Sequence, residues 1–375
     1  MNRSARQRGC RKAVALGHGR AIIKQLIDVL SSSNSLLRDD AVMSDNAWPT
    51  REQLLEMASA FRPACVLGAA AELDVFTAIG DGRLSVEEAA GRLRTERRAT
   101  RMLLDALAAL RLLEKEGGRY AVPEPLRPLF LEDSPRSILP MIRHNANILR
   151  QWTQLAWVVK SGIPGPRMAS IRGFEADRAA FIAAMHVISA PIADDLVARI
   201  GPLPFARLLD VGGASGTWTM AFLRANRQAR ATIFDLPDAI QQARQRFAAT
   251  EFADRADFVA GDFYRDELPG GADLAWVSAI IHQHGREENR ELFGKVYRAL
   301  ASGGHVAVRD IVMEPDRTRP RLGAMFAINM LVNTARGDTF TFEEIAEDLR
   351  AAGFEDAECR VRAEDMSSVV IARKP

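Results

Sequence analysis

The chain has 375 residues, 47% of them hydrophobic and 26% charged, which is enough for two domains and at least one full core. A net charge of +2 gives no global argument for a nucleic acid or an anionic membrane as partner, and no apolar run reads as long enough to span a bilayer. Cys10, Cys65 and Cys359 have neither metal-ligand spacing nor a pairing pattern, so free thiols, no metal and a cytoplasmic setting are expected.

The opening residues stand apart. Met1–Asp40 is rich in Arg and Ser, carries an isolated helical patch at Ala21–Leu30 and lacks the apolar stretch of a secretory signal. An organellar transit peptide would share that composition. The reading adopted for residues 1–43 is a disordered extension, or a start upstream of a natural one at Met43.

Residues 44–140 read as a mainly helical domain. Arg51–Leu73 has apolar positions at Leu54, Leu55, Met57, Phe61, Val66 and Leu67, with Pro63 marking a kink or boundary. Ser85 stands three residues before Glu88, a capping box that opens the helix Val86–Arg92. Met102–Leu113 is a further helix, and Gly117-Gly118 turns a hairpin within Glu114–Val122. Helices followed by a small β-wing make a winged-helix pattern, whose default partner is DNA. The helix that would read bases offers only Arg98, Arg101 and Arg111 over a wide apolar stripe, so a structural or dimerising role is expected instead. Pro123–Pro140 reads as a connection. The long helices Met141–Val159 and Phe181–Ile200 make 141–200 a bridging segment.

Residues 201–375 alternate strands and helices. The strands are Leu208–Val211, Arg230–Phe234, Ala256–Ala260, Leu274–Ser278, Gly304–Asp310, Ala357–Val361 and Ser367–Ala372. The helices are Trp218–Ala225, Asp238–Ala249, Glu287–Leu300 and Phe342–Gly353. This predicts an α/β, Rossmann-like doubly wound sheet. The turn before the last strand is too short for a helical crossover, so that strand should be antiparallel.

Three features close successive strands. Asp210-Val-Gly-Gly-Ala-Ser-Gly216 is a glycine-rich turn in which bare backbone can approach a ligand. Asp235 follows the next strand, where a carboxylate suits a ribose diol. Gly261-Asp262-Phe263 follows the third, where an acid beside an aromatic suits an adenine. Singly, each reads equally well as a turn, a helix cap or a loop acid; the ordered set is harder to explain that way. Ala214 and Thr217 break the G-x-G-x-x-G spacing expected for a dinucleotide, and no Walker lysine is present.

With Ile281-His282 and Gly303-Gly304, these motifs resemble the class I S-adenosylmethionine-dependent methyltransferases, in particular the small-molecule O-methyltransferases that include caffeic acid, hydroxyindole and bacterial polyketide enzymes. The resemblance runs from about Met43 to the end and implies a homodimer formed through a winged-helix dimerisation domain. It implies S-adenosylmethionine as cofactor, held by Asp210, Gly212, Gly213 and Gly216 at the loop, Asp235 at the ribose, and Asp262 and Phe263 at the adenine. Ser189 matches a position near the methionine end, and Ser278 stands where plant members have a cofactor-contacting lysine. Ala214 replaces a usual loop glycine.

The resemblance also assigns the chemistry. Transfer to a hydroxyl needs alignment and removal of a proton from the acceptor. His282 matches the family's catalytic base and Asp310 the first of two acids that orient it. The second is absent: Thr339 stands there, with Asp338 adjacent. Three possibilities follow: Asp338 substitutes, His282 works with one partner, or the chemistry has moved to a hydroxylase- or decarboxylase-like reaction in the same fold. A winged-helix regulator that senses the cofactor is a further alternative. Met185 matches a substrate-touching position, and Leu322–Asn333, with Met325, Asn329 and Asn333, corresponds to the acceptor-pocket helix. The expected acceptor is a hydroxylated aromatic or polyketide-like small molecule.

Overall fold

The computed structural model describes residues Trp48–Pro375; the readings on residues 1–43, including the patch Ala21–Leu30, and Cys10 lie outside them. The chain divides into two compact units, the first ending at Ile142 and the second running from Arg143 to Pro375.

In the first unit, Arg51–Ser59 and Phe61–Glu72 are separate helices that meet at Ala60. Pro63 therefore lies in a first turn, where its missing N–H costs nothing, and not at the break itself. Taken together, Arg51–Glu72 is 22 residues long and holds an 18-residue window of mean hydropathy 1.3, so by length and composition alone it does reach what a membrane-crossing helix needs. Val75–Ile79, Val86–Leu93 and Arg97–Ala109 follow. The capping box forms as expected: the Glu88 N–H donates to Ser85 Oγ at 3.2 Å and the Ser85 N–H to Glu88 Oε2 at 2.7 Å. Strands β1 (Glu114–Glu116) and β2 (Arg119–Ala121) form the wing around Gly117-Gly118. Tyr120 is fully buried, and its hydroxyl donates to Asp105 at 2.6 Å, fixing the wing to the helix Arg97–Ala109.

The second unit is built on a seven-stranded sheet. Its strands are β3 (Arg207–Val211), β4 (Arg230–Asp235), β5 (Ala256–Ala260), β6 (Ala272–Ser278), β7 (Leu300–Asp310), β10 (Glu355–Val361) and β11 (Ser368–Arg373). The spatial order is β10-β11-β7-β6-β3-β4-β5. Neighbours from β5 to β7 are parallel, and β11 runs antiparallel to both β7 and β10, as expected from the short turn before it. Chain order reverses between β3 and β6, which opens a crevice at their carboxyl ends, the usual ligand position in such a sheet. Both faces are covered. Trp218, Phe222 and Phe247 pack with Trp276 and Ala307 on one; Phe293, Leu349 and Phe354 pack with Val277 and Val308 on the other.

Two long helices of the sequence reading are each divided. Met141–Val159 resolves into Leu139–Trp152 and Leu155–Ser161. Phe181–Ile200 resolves into Gly173–Ser189 and Ala193–Ile200, because Pro191 cannot continue a helix interior. A small parallel pair was not expected: β8 (Val312–Met313) pairs with β9 (Phe340–Thr341), tying the segment after β7 to the start of the helix Phe342–Ala351.

Candidate active site

The glycine-rich loop leaves β3 at the crevice. Asp210 is fully buried, and the Thr219 hydroxyl donates to its Oδ2 at 2.5 Å. Burial pushes this carboxyl up to about 7, with Asp235 adding to the rise and Thr219 opposing it. Gly212 and Gly216 have φ of 64° and 74°. A Cβ would fall 2.5 Å from Ile280 Cδ1 at Gly212 and 2.4 Å from Phe247 at Gly216, so the loop path admits neither. Gly213 lies between them against Asp210. Ala214, the irregular residue of the motif, also takes a left-handed φ of 46°. Its N–H donates to Asp235 Oδ2 at 2.7 Å.

Asp235 ends β4. Its other oxygen accepts from the Leu236 N–H at 2.6 Å. Each carboxylate oxygen thus holds one backbone donor and keeps a lone pair for a ribose hydroxyl. Burial pushes Asp235 above the usual carboxylate range, and a pair of hydroxyl donors would restore what burial removes. Asp262 accepts from the Tyr264 N–H at 3.0 Å and keeps its side chain partly exposed. Phe263 lies 4.8 Å from the Tyr264 ring and 5.8 Å from His284. This aromatic shelf has its own polar string: Tyr264 Oη donates to His284 Nε2 at 2.7 Å, and His284 Nδ1 donates to Asn289 Oδ1 at 3.1 Å. The donor set fits an adenosyl group: a bare-backbone turn, a diol acceptor and an acid beside a ring. Ser189 is buried at the end of Gly173–Ser189, and Ser278 ends β6 beside the crevice.

His282 sits in a 3₁₀ turn, Ile281–Gln283, just past β6. It is buried, and Nδ1–H points at both oxygens of Asp310, at 2.9 and 3.0 Å. The Ile311 N–H donates to Asp310 Oδ1 at 2.8 Å, which fixes the acid. With Nδ1 committed, Nε2 is left as the acceptor. Asp338 does not substitute for the missing second acid: its carboxylate pairs with Arg317 at 3.5 Å and caps the Thr339 N–H at 2.7 Å. Only the Asp338 backbone meets His282, its N–H donating to the His282 carbonyl at 3.0 Å. A Cβ at Gly337 would fall 2.4 Å from that carbonyl oxygen, and the Gly337 N–H donates to Thr334 Oγ1 at 2.8 Å.

The helix Arg321–Asn333 presents Phe326 edge-on to His282, with ring centroids 4.8 Å apart. Asn329 and Asn333 share a face, as their spacing predicts, but they bond each other: Asn333 Nδ2 donates to Asn329 Oδ1 at 3.1 Å. Trp152 Nε1 donates to the same oxygen at 2.9 Å. Asn329 Oδ1 and Asn333 Nδ2 are therefore engaged within the protein. Met185 is half-buried and Met325 exposed. Sequence reasoning missed the Tyr264–His284–Asn289 string and the role of Trp152. Tyr264 and His284 lie twenty residues apart, and nothing in their local pattern signals the contact.

A family profile describing the O-methyltransferase domain matches residues 145–355, more than half of the chain. The chain belongs to the O-methyltransferase family. Residues 55–125 match that family's dimerisation domain, which accounts for a winged helix without a basic recognition face. The chain is 31% identical over 338 residues to acetylserotonin O-methyltransferase of Bos taurus, covering 86% of this chain and 97% of that one. It is 30% identical over 331 residues to the tetracenomycin polyketide synthesis 8-O-methyl transferase TcmO of Streptomyces glaucescens, covering 86% and 96%. The crystal structure of human N-acetylserotonin methyltransferase in complex with SAM is similar at a TM-score of 0.72 and 27% identity, over 88% of this chain and 99% of that one. The enzyme is thus an S-adenosylmethionine-dependent methyltransferase, and the turn after β3 with Asp235 and Asp262 is a site of the right chemistry for that cofactor.

Proposed function

We propose that this O-methyltransferase acts on a hydroxyl of an aromatic or polyketide-like small molecule, with His282 as the base and Asp310 as its positioning residue. The observation that carries the reading is the Nδ1–H of His282 held by both oxygens of Asp310, which leaves Nε2 unencumbered beside the Phe326 ring. The cofactor supplies an already activated methyl group. The protein aligns the acceptor and takes up its proton. A phenol titrates near ~10, so a neutral imidazole aimed at it is useful at neutral pH. Gly212, Gly213 and Gly216 with Asp210 shape the cofactor wall; Asp235 takes the ribose, Asp262 and Phe263 the adenine, and Ser189 and Ser278 the methionine end. Met185, Met325, Asn329 and Asn333 line the acceptor side.

In this reading the enzyme is a cytoplasmic homodimer organised as 44–140, 141–200 and 201–375. The apolar Leu54, Leu55, Met57 and Phe61, all exposed in the single chain, suit subunit contact better than a bilayer. Nucleic acid is not assigned as a partner, because Arg101 pairs with Asp105 and Arg97 with Glu87, and the wing's Arg119 with Glu88.

The test is incubation with S-adenosylmethionine and a panel of phenolic and polyketide-like acceptors, followed by product analysis. Stoichiometric S-adenosylhomocysteine and an O-methylated product are expected, and His282→Ala should abolish them while leaving cofactor affinity intact. Cofactor consumption with no methylated product would overturn the reading in favour of a related non-methylating reaction.

A further inference from the structure

Arg309 is a cation in an unexpected place. It lies on β7 among Val306, Ala307 and Val308, and its side chain is buried at 4% exposure. Alternation along β7 turns it away from Asp310, onto the face that carries Trp276 and Trp218. Its register partner on β6 is Ser278. Nη1 donates to Ser278 Oγ at 3.1 Å, and the guanidinium carbon lies 4.5 Å from the centroid of the Trp218 ring.

Trp218 belongs to the helix Thr217–Ala225 that follows β3, whereas Arg309 starts from β7. The guanidinium thus crosses the end of β6 and lies beside the β3–β6 crevice. Its Nε is buried and without a hydrogen-bond partner. Among the described residues a neutral hydroxyl is the polar group it bonds, and no carboxylate forms an ion pair with it. Burial pulls the group down to about 10, against the opposing fields of Asp310 and Asp365, so it remains charged at neutral pH. A buried charge ordinarily has a counter-charge at contact distance. Here a forked donor, braced by an indole, lies at the carboxyl end of β6 with a neutral hydroxyl as its bonded partner.

We propose that Arg309, with Ser278, is the subsite for the α-carboxylate of the cofactor's methionine part. The inference rests on the cofactor reading above and extends it to a residue outside the recognised motifs. The planar guanidinium suits a carboxylate, and the Trp218 ring braces it. The anion would also neutralise the buried cation, so cofactor binding would stabilise the fold around β7.

The test is calorimetric titration of the full-length wild type and of Arg309→Met with two ligands. S-Adenosylhomocysteine has the carboxylate; 5′-methylthioadenosine lacks the amino-acid part. Loss of a charge-assisted contact should weaken the first by about 10- to 100-fold in Arg309→Met and leave the second within about threefold. Equal weakening of both ligands, or of neither, would overturn the proposal. So would unchanged S-adenosylhomocysteine affinity with a raised acceptor KM, which would give the guanidinium to the acceptor. Should Arg309→Met not fold, the wild type decides: the decarboxylated analogue of S-adenosylhomocysteine should bind at least about tenfold more weakly than its parent, and equal affinity overturns the assignment. Failure of the wild type to bind either adenosyl ligand would instead strike the cofactor reading itself.

Discussion

His282 and Asp310 face each other across the carboxyl ends of neighbouring strands, with Nδ1 within 3.0 Å of both carboxylate oxygens. An acid so placed fixes one tautomer and directs the other ring nitrogen outward. Asp310→Asn can present an amide hydrogen to Nδ1 and reverse the tautomer. The expected result is a fall in kcat of about 10²-fold with S-adenosylhomocysteine affinity unchanged. The loss should shrink for phenols of lower pKa, which need less help to ionise. A loss independent of acceptor pKa would mean that Asp310 only supports the fold.

Asp338 makes the opposite prediction. Its carboxylate is half-exposed and paired with Arg317, away from the imidazole. Asp338→Ala should leave kcat within about twofold and lower stability by no more than about 1 kcal/mol, as for other exposed ion pairs. A kcat loss comparable to that of Asp310→Asn, measured on the same acceptor, would show that two acids serve the base after all.

Asp235 separates binding from folding. Asp235→Asn should weaken S-adenosylhomocysteine by about tenfold or more, since charged acceptors to a diol are replaced by neutral ones. Because burial raises the Asp235 carboxyl, the ligand-free melting temperature should stay level or rise. Calorimetry and a thermal melt of the same preparation read both quantities.

Asp210 sets a pH dependence. Its folded pKa of about 7 lies above its ordinary 3.8, so between those values the folded chain binds more protons than the unfolded one. The stabilisation is complete below about 4 and is lost as pH rises through about 7. Asp210→Asn should therefore flatten the fall in melting temperature of the ligand-free enzyme between pH 4 and 7. An equally steep fall in the variant would assign it to another group.

Much of this was legible from strand ends. Asp210, Asp235 and Asp262 close apolar runs, with glycines after the first and one before the third, so their alignment along one edge of a sheet follows from the alternation alone. The helix breaks were less legible. Pro63 marks a boundary that lies three residues earlier, because a first turn tolerates proline, whereas the apolar run around Pro191 masks the break there. Ala214 looked like a departure from the loop's pattern, yet it takes a glycine-like φ and donates its N–H to Asp235. Arg309 could not be read at all. One cation in a strand looks like an edge or a solvent-facing position until the register with Ser278 and the stack on Trp218 are known.

The close approach of Gly337 to the His282 carbonyl bears on how acceptor range could change. Thr334, at the end of the helix Arg321–Asn333, anchors Gly337, and the next residue, Asp338, holds the His282 backbone. The helix end and the His282 turn are thus tied together, with no slack for a Cβ between them. An insertion or deletion in Thr334–Asp338 would shift the imidazole along with the pocket. On the proposed roles of His282 and this helix, acceptor range would be changed by exchanging side chains along the helix at constant loop length, with the proton-accepting geometry left in place.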